Sequence, residues 1–170
     1  MKISTRSEYG IRVLLALARA EDQGPLSLST IARSERLPHA YLEQLVADLR
    51  RAGLVTATRG QAGGYRLARP PDQISLATAI RTLDGPLLEM PCAGVASAER
   101  CDRPEPCSVH EAYELLFASI DSTLGGTSLA DLAVRAAAGG PPYSADVRRR
   151  IRAVAEAGAH IQSQAVNGAS

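Results

Sequence analysis

The stretch YLEQLVADLRRAGLVTATRGQAGGYRLAR, residues 41–69, decides the fold. Leu42, Leu45, Val46 and Leu49 recur at the spacing of one buried helix face, while Tyr41, Glu43, Gln44 and Arg51 point elsewhere. Gly53 suits the helix C-terminal cap. The period then changes. LVTAT and YRLA are short β-capable runs separated by RGQAGG, where Gly60, Gly63 and Gly64 permit positive φ angles and close approach to another surface. A helix followed at once by a hairpin with a basic, glycine-rich tip is the second half of a winged helix.

The flanking sequence supplies the rest. Upstream, Ser27 caps a short helix with Leu28, Ile31 and Ala32 inward, and RLPHA turns into the third helix with Pro38 in its first turn. Thr5-Arg-Ser-Glu8 has the form of a capping box, and Ile11, Leu14, Leu15 and Ala18 line one side of a first helix that ends near Glu21 to Gly24. Downstream, Ser75 caps a helix with Leu76, Ala79, Ile80 and Leu83 on one side and Gly85 closing it. Ser108-Val-His-Glu111 is a second capping box, opening a long helix whose stripe is Val109, Ala112, Tyr113, Leu116, Ile120 and Leu124. That stripe is expected to pack against its counterpart in a second copy, giving a two-fold homodimer; the alternative is that it folds back on its own domain.

The expected fold is mainly α with a small β-hairpin wing: a winged helix-turn-helix plus a long dimerisation helix. Residues 1–72 form the DNA-binding domain and 73–133 the cysteine loop and dimerisation helix. Residues 134–170 read as a linker, AVRAAAGGPPYSA, and a mobile tail in which Val147, Ile151 and Val154 mark one more amphipathic helix.

Composition bounds the function. A chain of 170 residues with 45% hydrophobic content buries one good core, which excludes a large multidomain enzyme. The start, MKISTRSEYG, is polar, and Arg12 breaks the first apolar run, so neither a signal peptide nor a membrane span is expected and the protein reads as cytoplasmic. The net charge of +1 hides an asymmetry: residues 1–70 carry eleven Lys/Arg against six acids, and the remainder is net acidic. A basic first half points to a polyanion. No phosphate-cradling loop, Gly-x-Ser-x-Gly elbow or His-Glu-x-x-His helix competes, so no enzyme activity is expected.

In a helix-turn-helix the second helix of the pair carries its N-terminal residues to base edges in the major groove. Here these are His39, Ala40, Tyr41, Glu43 and Gln44. Gln44 suits paired bonds to adenine, and Glu43 suits acceptance from cytosine or repulsion of a wrong base. His39 and Tyr41 suit a phosphate or a base edge. Arg59 at the wing tip, beside Gly60 and Gly63, suits the minor groove or a phosphate, and Arg50 and Arg51 suit backbone anchoring. Two such heads on a dimer read an inverted repeat in double-stranded DNA, with half-sites separated by about 34 Å or multiples of it.

All three cysteines lie in PCAGVASAERCDRPEPCSVH, residues 91–110. An odd count in a reducing compartment argues against structural disulfides. Eight and then five residues separate Cys92, Cys101 and Cys107, whereas zinc sites usually open with a closely spaced cysteine pair. The longer spacing suits an iron–sulfur cluster, whose iron corners are spread over a wider body, and Pro91, Pro104 and Pro106 stiffen the loop.

Residues 41–69, preceded by EYGIRVLLALA and followed by the three-cysteine loop, resemble the family of winged-helix iron–sulfur transcriptional regulators typified by IscR and NsrR. The resemblance covers about residues 1–133. It implies DNA contacts from Tyr41, Gln44, Arg59 and Gly60, and a 2Fe-2S or 4Fe-4S centre held by the three cysteines. It also implies two candidates for the remaining ligand: His110, where IscR-like members place a histidine, and Glu8, where the nitric-oxide sensors place a carboxylate from the partner's first helix. This chain departs from the family's Ser-rich start of the third helix with Pro38-His39-Ala40, so a different operator is expected. The function implied is a repressor whose DNA affinity reports cluster state in response to nitric oxide, redox or iron–sulfur status. Two alternatives stay open: direct thiol oxidation or zinc binding at the same cysteines, and a winged helix used to dock a protein partner.

Overall fold

The computed structural model describes residues 4–60, 63–87, 108–137 and 149. Helix α1 (Thr5–Arg19) is followed by a single 3-10 turn, and α2 (Leu28–Glu35) and α3 (His39–Arg51) form the helix-turn-helix. Strands β1 (Val55–Thr58) and β2 (Gly64–Leu67) make the wing, and α4 (Leu76–Asp84), α5 (Ser108–Gly125) and α6 (Leu129–Ala137) follow. The chain divides into two compact units, residues 1–133 and 134–170. None of the helices among the described residues is long and apolar enough to cross a membrane.

The core forms where the period of α3 places it, but on α1 the buried face is turned from the expected stripe of Ile11, Leu14, Leu15 and Ala18: Val13, Leu14, Leu17 and Ala18 are buried and Ile11 and Leu15 are only partly so, because α1 is covered from more than one side. Val13, Leu14 and Leu17 of α1, Ile31 of α2 and Leu42, Leu45, Val46 and Leu49 of α3 are buried in one cluster that also takes in Leu54, Ile74, Leu83 and Leu129. Helix α1 crosses α4 so closely that a side chain at Gly10 would overlap Leu83. Helix α3 ends in two reversed hydrogen bonds, Gly53 N to Arg50 O and Leu54 N to Leu49 O, both 3.0 Å, with Gly53 at φ +68°. This is the left-handed exit that glycine tolerates, and it delivers Leu54 straight into the core and Val55 into β1.

The wing is an antiparallel pair in the register Val55↔Leu67 to Thr58↔Gly64. A third backbone segment pins it: Leu26 and Tyr65 exchange hydrogen bonds of 2.9 and 2.8 Å. A Cβ on Gly64 would run into the Leu26 backbone at this point, so only glycine permits the pairing. We expect Gly64→Val to detach the wing from residue 26, costing roughly 1–3 kcal/mol by displaced backbone and lost bonds. Loss of amide protection at Tyr65 in hydrogen exchange checks this; unchanged protection contradicts it.

Two local expectations need correction. The cap of α1 is Ser4, not Thr5: the Ser4 hydroxyl accepts from the amides of Arg6 and Ser7 at 3.1 and 3.2 Å. The same hydroxyl donates to Asp84 at the end of α4, and Ser4 N donates to Asp84 Oδ2 at 2.9 Å. The long-range carboxylate selects the capping residue, because one hydroxyl can accept from the helix and donate to Asp84 at once. Burial works to raise the Asp84 carboxyl, but the Ser4 hydroxyl and amide, with the charge of Arg6, hold it below its ordinary value. Asp84 is therefore deprotonated more readily folded than unfolded; its contribution is full above the ordinary carboxylate range and fades as acid protonates it in the fold. Ser4→Ala is expected to cost about 1 kcal/mol at neutral pH. In acid titrations followed by circular dichroism, the gap between wild type and Asp84→Asn should close as pH falls; a gap that widens refutes the assignment.

The second correction concerns AVRAAAGGPPYSA, expected to be linker. Its first five residues, 133–137, complete α6. Alanine is the best helix former, and Ser128 and Asp131 cap the start reciprocally: Ser128 N donates to Asp131 Oδ2 at 2.9 Å and Asp131 N to Ser128 Oγ at 3.1 Å. The signal Ser128-Leu-Ala-Asp131 was present in the sequence. Residues 138–148 and 150–170, with the expected tail helix, lie outside the described residues.

Candidate nucleic-acid interface and cysteine loop

Burying Leu42, Leu45, Val46 and Leu49 on one side of α3 leaves the opposite face to polar residues. His39, Tyr41, Glu43, Gln44, Arg50 and Arg51 are all exposed there. The helix lacks a side-chain cap, since Pro38 stands at the cap position, one residue before the first turn where it was expected, and its ring carries no acceptor; its carbonyl accepts from Leu42 N at 3.2 Å. The turn before it runs through Arg36 at φ +53°, a left-handed conformation that most residues avoid. At the other end of the face stands the wing, with Arg59 and Gly60 exposed and Gly60 at φ +115°. Gly63 is half-buried, and a Cβ there would strike the carbonyls of Thr58 and Gly60. The Gln61–Ala62 tip lies outside the described residues.

Several residues that periodicity did not single out orient this face. Tyr9 of α1 meets the Tyr41 ring edge to face, with centroids 5.8 Å apart, and the Arg12 guanidinium lies 5.9 Å from the Tyr9 centroid. Arg12 also pairs with Glu35 of α2 at 3.5 Å and donates to its backbone carbonyl, and Arg19 pairs with the same carboxylate at 3.5 Å. Asp48, only 8% exposed, accepts from both Arg6 and Arg51 and so ties α1 to α3. A buried carboxylate needs such partners, because desolvation without them costs several kcal/mol, roughly. The i, i+3 spacing of Asp48 and Arg51 was legible in the sequence; the Arg6 contact was not. Arg51 thus has an ion-pair partner on its own helix.

The long helix α5 emerges with a divided stripe. Ile120 and Leu124 pack on Ala77, Ile80 and Leu87, and Arg81 of α4 pairs with Asp121. Val109 and Leu116 in the N-terminal half are 50% and 47% exposed, and the neighbouring Leu115 is 65% exposed. The C-terminal half therefore folds back on its own α4, while the N-terminal half presents bare apolar surface.

Cys92, Cys101 and Cys107 lie outside the described residues. The elements that flank their loop are placed: Leu87 is buried against α4, and α5 starts at Ser108. His110 is half-buried in the first turn of α5. Glu8 is 63% exposed on α1, and Arg12 lies 3.9 Å away. Among the described residues no three His, Cys, Asp or Glu side chains converge as a metal site.

Comparison with known proteins agrees with this geometry. Residues 3–135 match the Rrf2 family, described as an iron-dependent transcriptional regulator. The transcriptional regulator CymR of Bacillus subtilis is 39% identical over 133 residues, covering 78% of this chain and 90% of that protein. The solved structure of CymR, described as the global cysteine regulator of B. subtilis, superposes with a TM-score of 0.68 at 37% identity over 79% of this chain and 98% of that one. A structure of IscR from T. potens gives a TM-score of 0.65 at 34% identity, covering 85% and 94% of the two chains.

Proposed function

Since the chain belongs to the Rrf2 family, and is thus a winged-helix, DNA-binding transcriptional regulator and not an enzyme, we propose that it is a homodimeric repressor controlled by an iron–sulfur cluster. The observation that carries the reading is the run of three cysteines, Cys92, Cys101 and Cys107, inside a family match that spans residues 3–135. The donor set fits: three thiolates suit iron and sulfide. Glu8 and His110 are the candidates for the remaining position, the first exposed on α1 with Arg12 3.9 Å away, the second half-buried in the first turn of α5. When bound, the cluster would supply a tether sensitive to nitric oxide, oxygen or redox state.

The chain's own residues do the rest. His39, Tyr41, Glu43 and Gln44 carry base readout from α3. Arg50, Arg51 and Arg59, with the close-approaching backbone at Gly60 and Gly63, meet phosphate or the minor groove. The exposed half of α5 joins two copies, so that two heads meet an inverted repeat at a fixed separation. A coupling of about 1–3 kcal/mol between loop and heads changes DNA affinity roughly 5- to 150-fold.

The likeness to a protein described as a global cysteine regulator supports a second reading, in which the same thiols act by oxidation or zinc binding without a cluster. Anaerobic purification separates the two. A brown protein with iron and acid-labile sulfide, lost in Cys101→Ala, is expected; a colourless wild type that cannot be reconstituted with iron and sulfide overturns the cluster. Steep loss of duplex binding with added salt tests the DNA-reading assignment against protein docking.

A further inference from the structure

Two carboxylates from different helices are held at the first turn of α1. Asp84, at the end of α4, accepts from both the amide and the hydroxyl of Ser4. The Ser4 hydroxyl in turn accepts from Arg6 N at 3.1 Å, and the Arg6 guanidinium donates to Asp48 on α3. Hydrogen bonds therefore run without a break from α4, through Ser4 and Arg6, to α3. Where they reach α3, Arg6 lines a cavity of about 30 Å³ together with Tyr41, Gln44, Leu45 and Asp48. That is room for a water or two and for no larger ligand, so the guanidinium stands beside the base-reading residues without forming a ligand site. At the other end, Gly85 at φ +83° turns the chain out of α4, and Leu87 is buried against that helix. Asp84 thus stands at the point from which the cysteine loop departs.

Resting on the assignment of α3 as the groove-entering helix, we infer that Arg6 is a positioning residue for DNA recognition, through which Asp84 at the root of the cysteine loop sets the placement of α3. The physical reason lies in Asp48. Its carboxylate is almost wholly buried and needs cations close by. One of them, Arg51, is an exposed side chain of the same helix and cannot hold α3 against another element. Arg6 is the partner that can. Asp84 fixes the turn that carries Arg6 by accepting twice from Ser4, so a shift at the root of the loop moves Tyr41 and Gln44 relative to the bases with no change in either residue.

The test is a double-mutant cycle on the full chain, with Kd measured by fluorescence anisotropy on a duplex that the wild type selects from a random-sequence pool, well below each variant's thermal midpoint. Asp84→Asn and Arg6→Gln are each expected to raise Kd by roughly 3- to 30-fold, and the double variant to bind no worse than Arg6→Gln alone, because both changes break the same line of bonds. Arg6→Lys keeps the charge and a donor and should recover most of the loss. If Arg6→Gln does not fold, Asp48→Asn takes its place in the cycle. Losses that add, or an Asp84→Asn protein that binds as the wild type does, overturn the inference. So does a salt dependence reduced by about one ion in Arg6→Gln, which would mean that the guanidinium meets a phosphate directly. A pool from which no sequence is enriched overturns the DNA-reading assignment itself, so the two failures are distinguishable.

Discussion

Leu116→Glu is expected to convert the protein from dimer to monomer and to weaken binding to an inverted-repeat duplex by roughly 100-fold or more, because two linked heads bind far more tightly than one. Leu116, Val109 and Leu115 are 47%, 50% and 65% exposed in the single chain, on the half of α5 that its own domain leaves uncovered. Covering a leucine or valine of this kind is worth about 1.5–3 kcal/mol, and two-fold symmetry counts each contact twice. A glutamate placed in such a seam brings a carboxylate that must be desolvated without a partner, so it opposes association more strongly than the missing methyl groups do. The substitution should spare the fold, since Ile120 and Leu124 still anchor the other half of α5 on α4. Light scattering and fluorescence anisotropy read the two effects. A variant that stays dimeric with unchanged affinity refutes the assignment of α5.

Leu42→Ala acts on the other side of the recognition helix. Leu42 is fully buried, in one cluster with Val13, Leu14, Ile31 and Leu45, so truncation removes transfer energy and leaves a cavity that α1, α2 and α3 all line. The expected loss is about 2–5 kcal/mol. At roughly 2–4 °C per kcal/mol for a chain of this size, the thermal midpoint should fall by about 10 °C. A control at Ala47, exposed on the same helix, should change little when replaced by Ser. Calorimetry on both decides the matter: equal midpoints would mean that the core does not run beneath α3 as described.

The periodic parts of this fold were legible because their signals are local. Leu42, Leu45, Val46 and Leu49 announce the buried side of α3, and the polar face follows by subtraction. Ser27 and Ser75 announce their helices through hydroxyls that each bond an amide three residues on. The turn between α2 and α3 was harder to read, because it passes through Arg36 in a left-handed conformation where a glycine would have marked it. For the candidate site, residue identities on α3 and the wing were visible in the sequence, but their partners on other elements, such as Tyr9 against Tyr41, were not.

What the sequence determined by itself is the order and kind of elements from α1 through α5, the buried face of α3, and the family, since periodicity, caps and motif spacing are all read within a few residues; on α1 the packed core chose Val13 and Leu17 over Ile11 and Leu15. Tertiary structure decided everything that depends on residues distant in the chain. It chose Ser4 over Thr5 as the cap through a carboxylate 80 positions away, and it set Leu26 against Tyr65 at the wing. It divided the α5 stripe between an internal and an exposed half, and brought the Ser29 hydroxyl within 3.4 Å of His39 Nε2. A hydrogen bond or apolar contact between distant segments is fixed by how helices cross, and crossing is a property of the packed core that no single segment encodes.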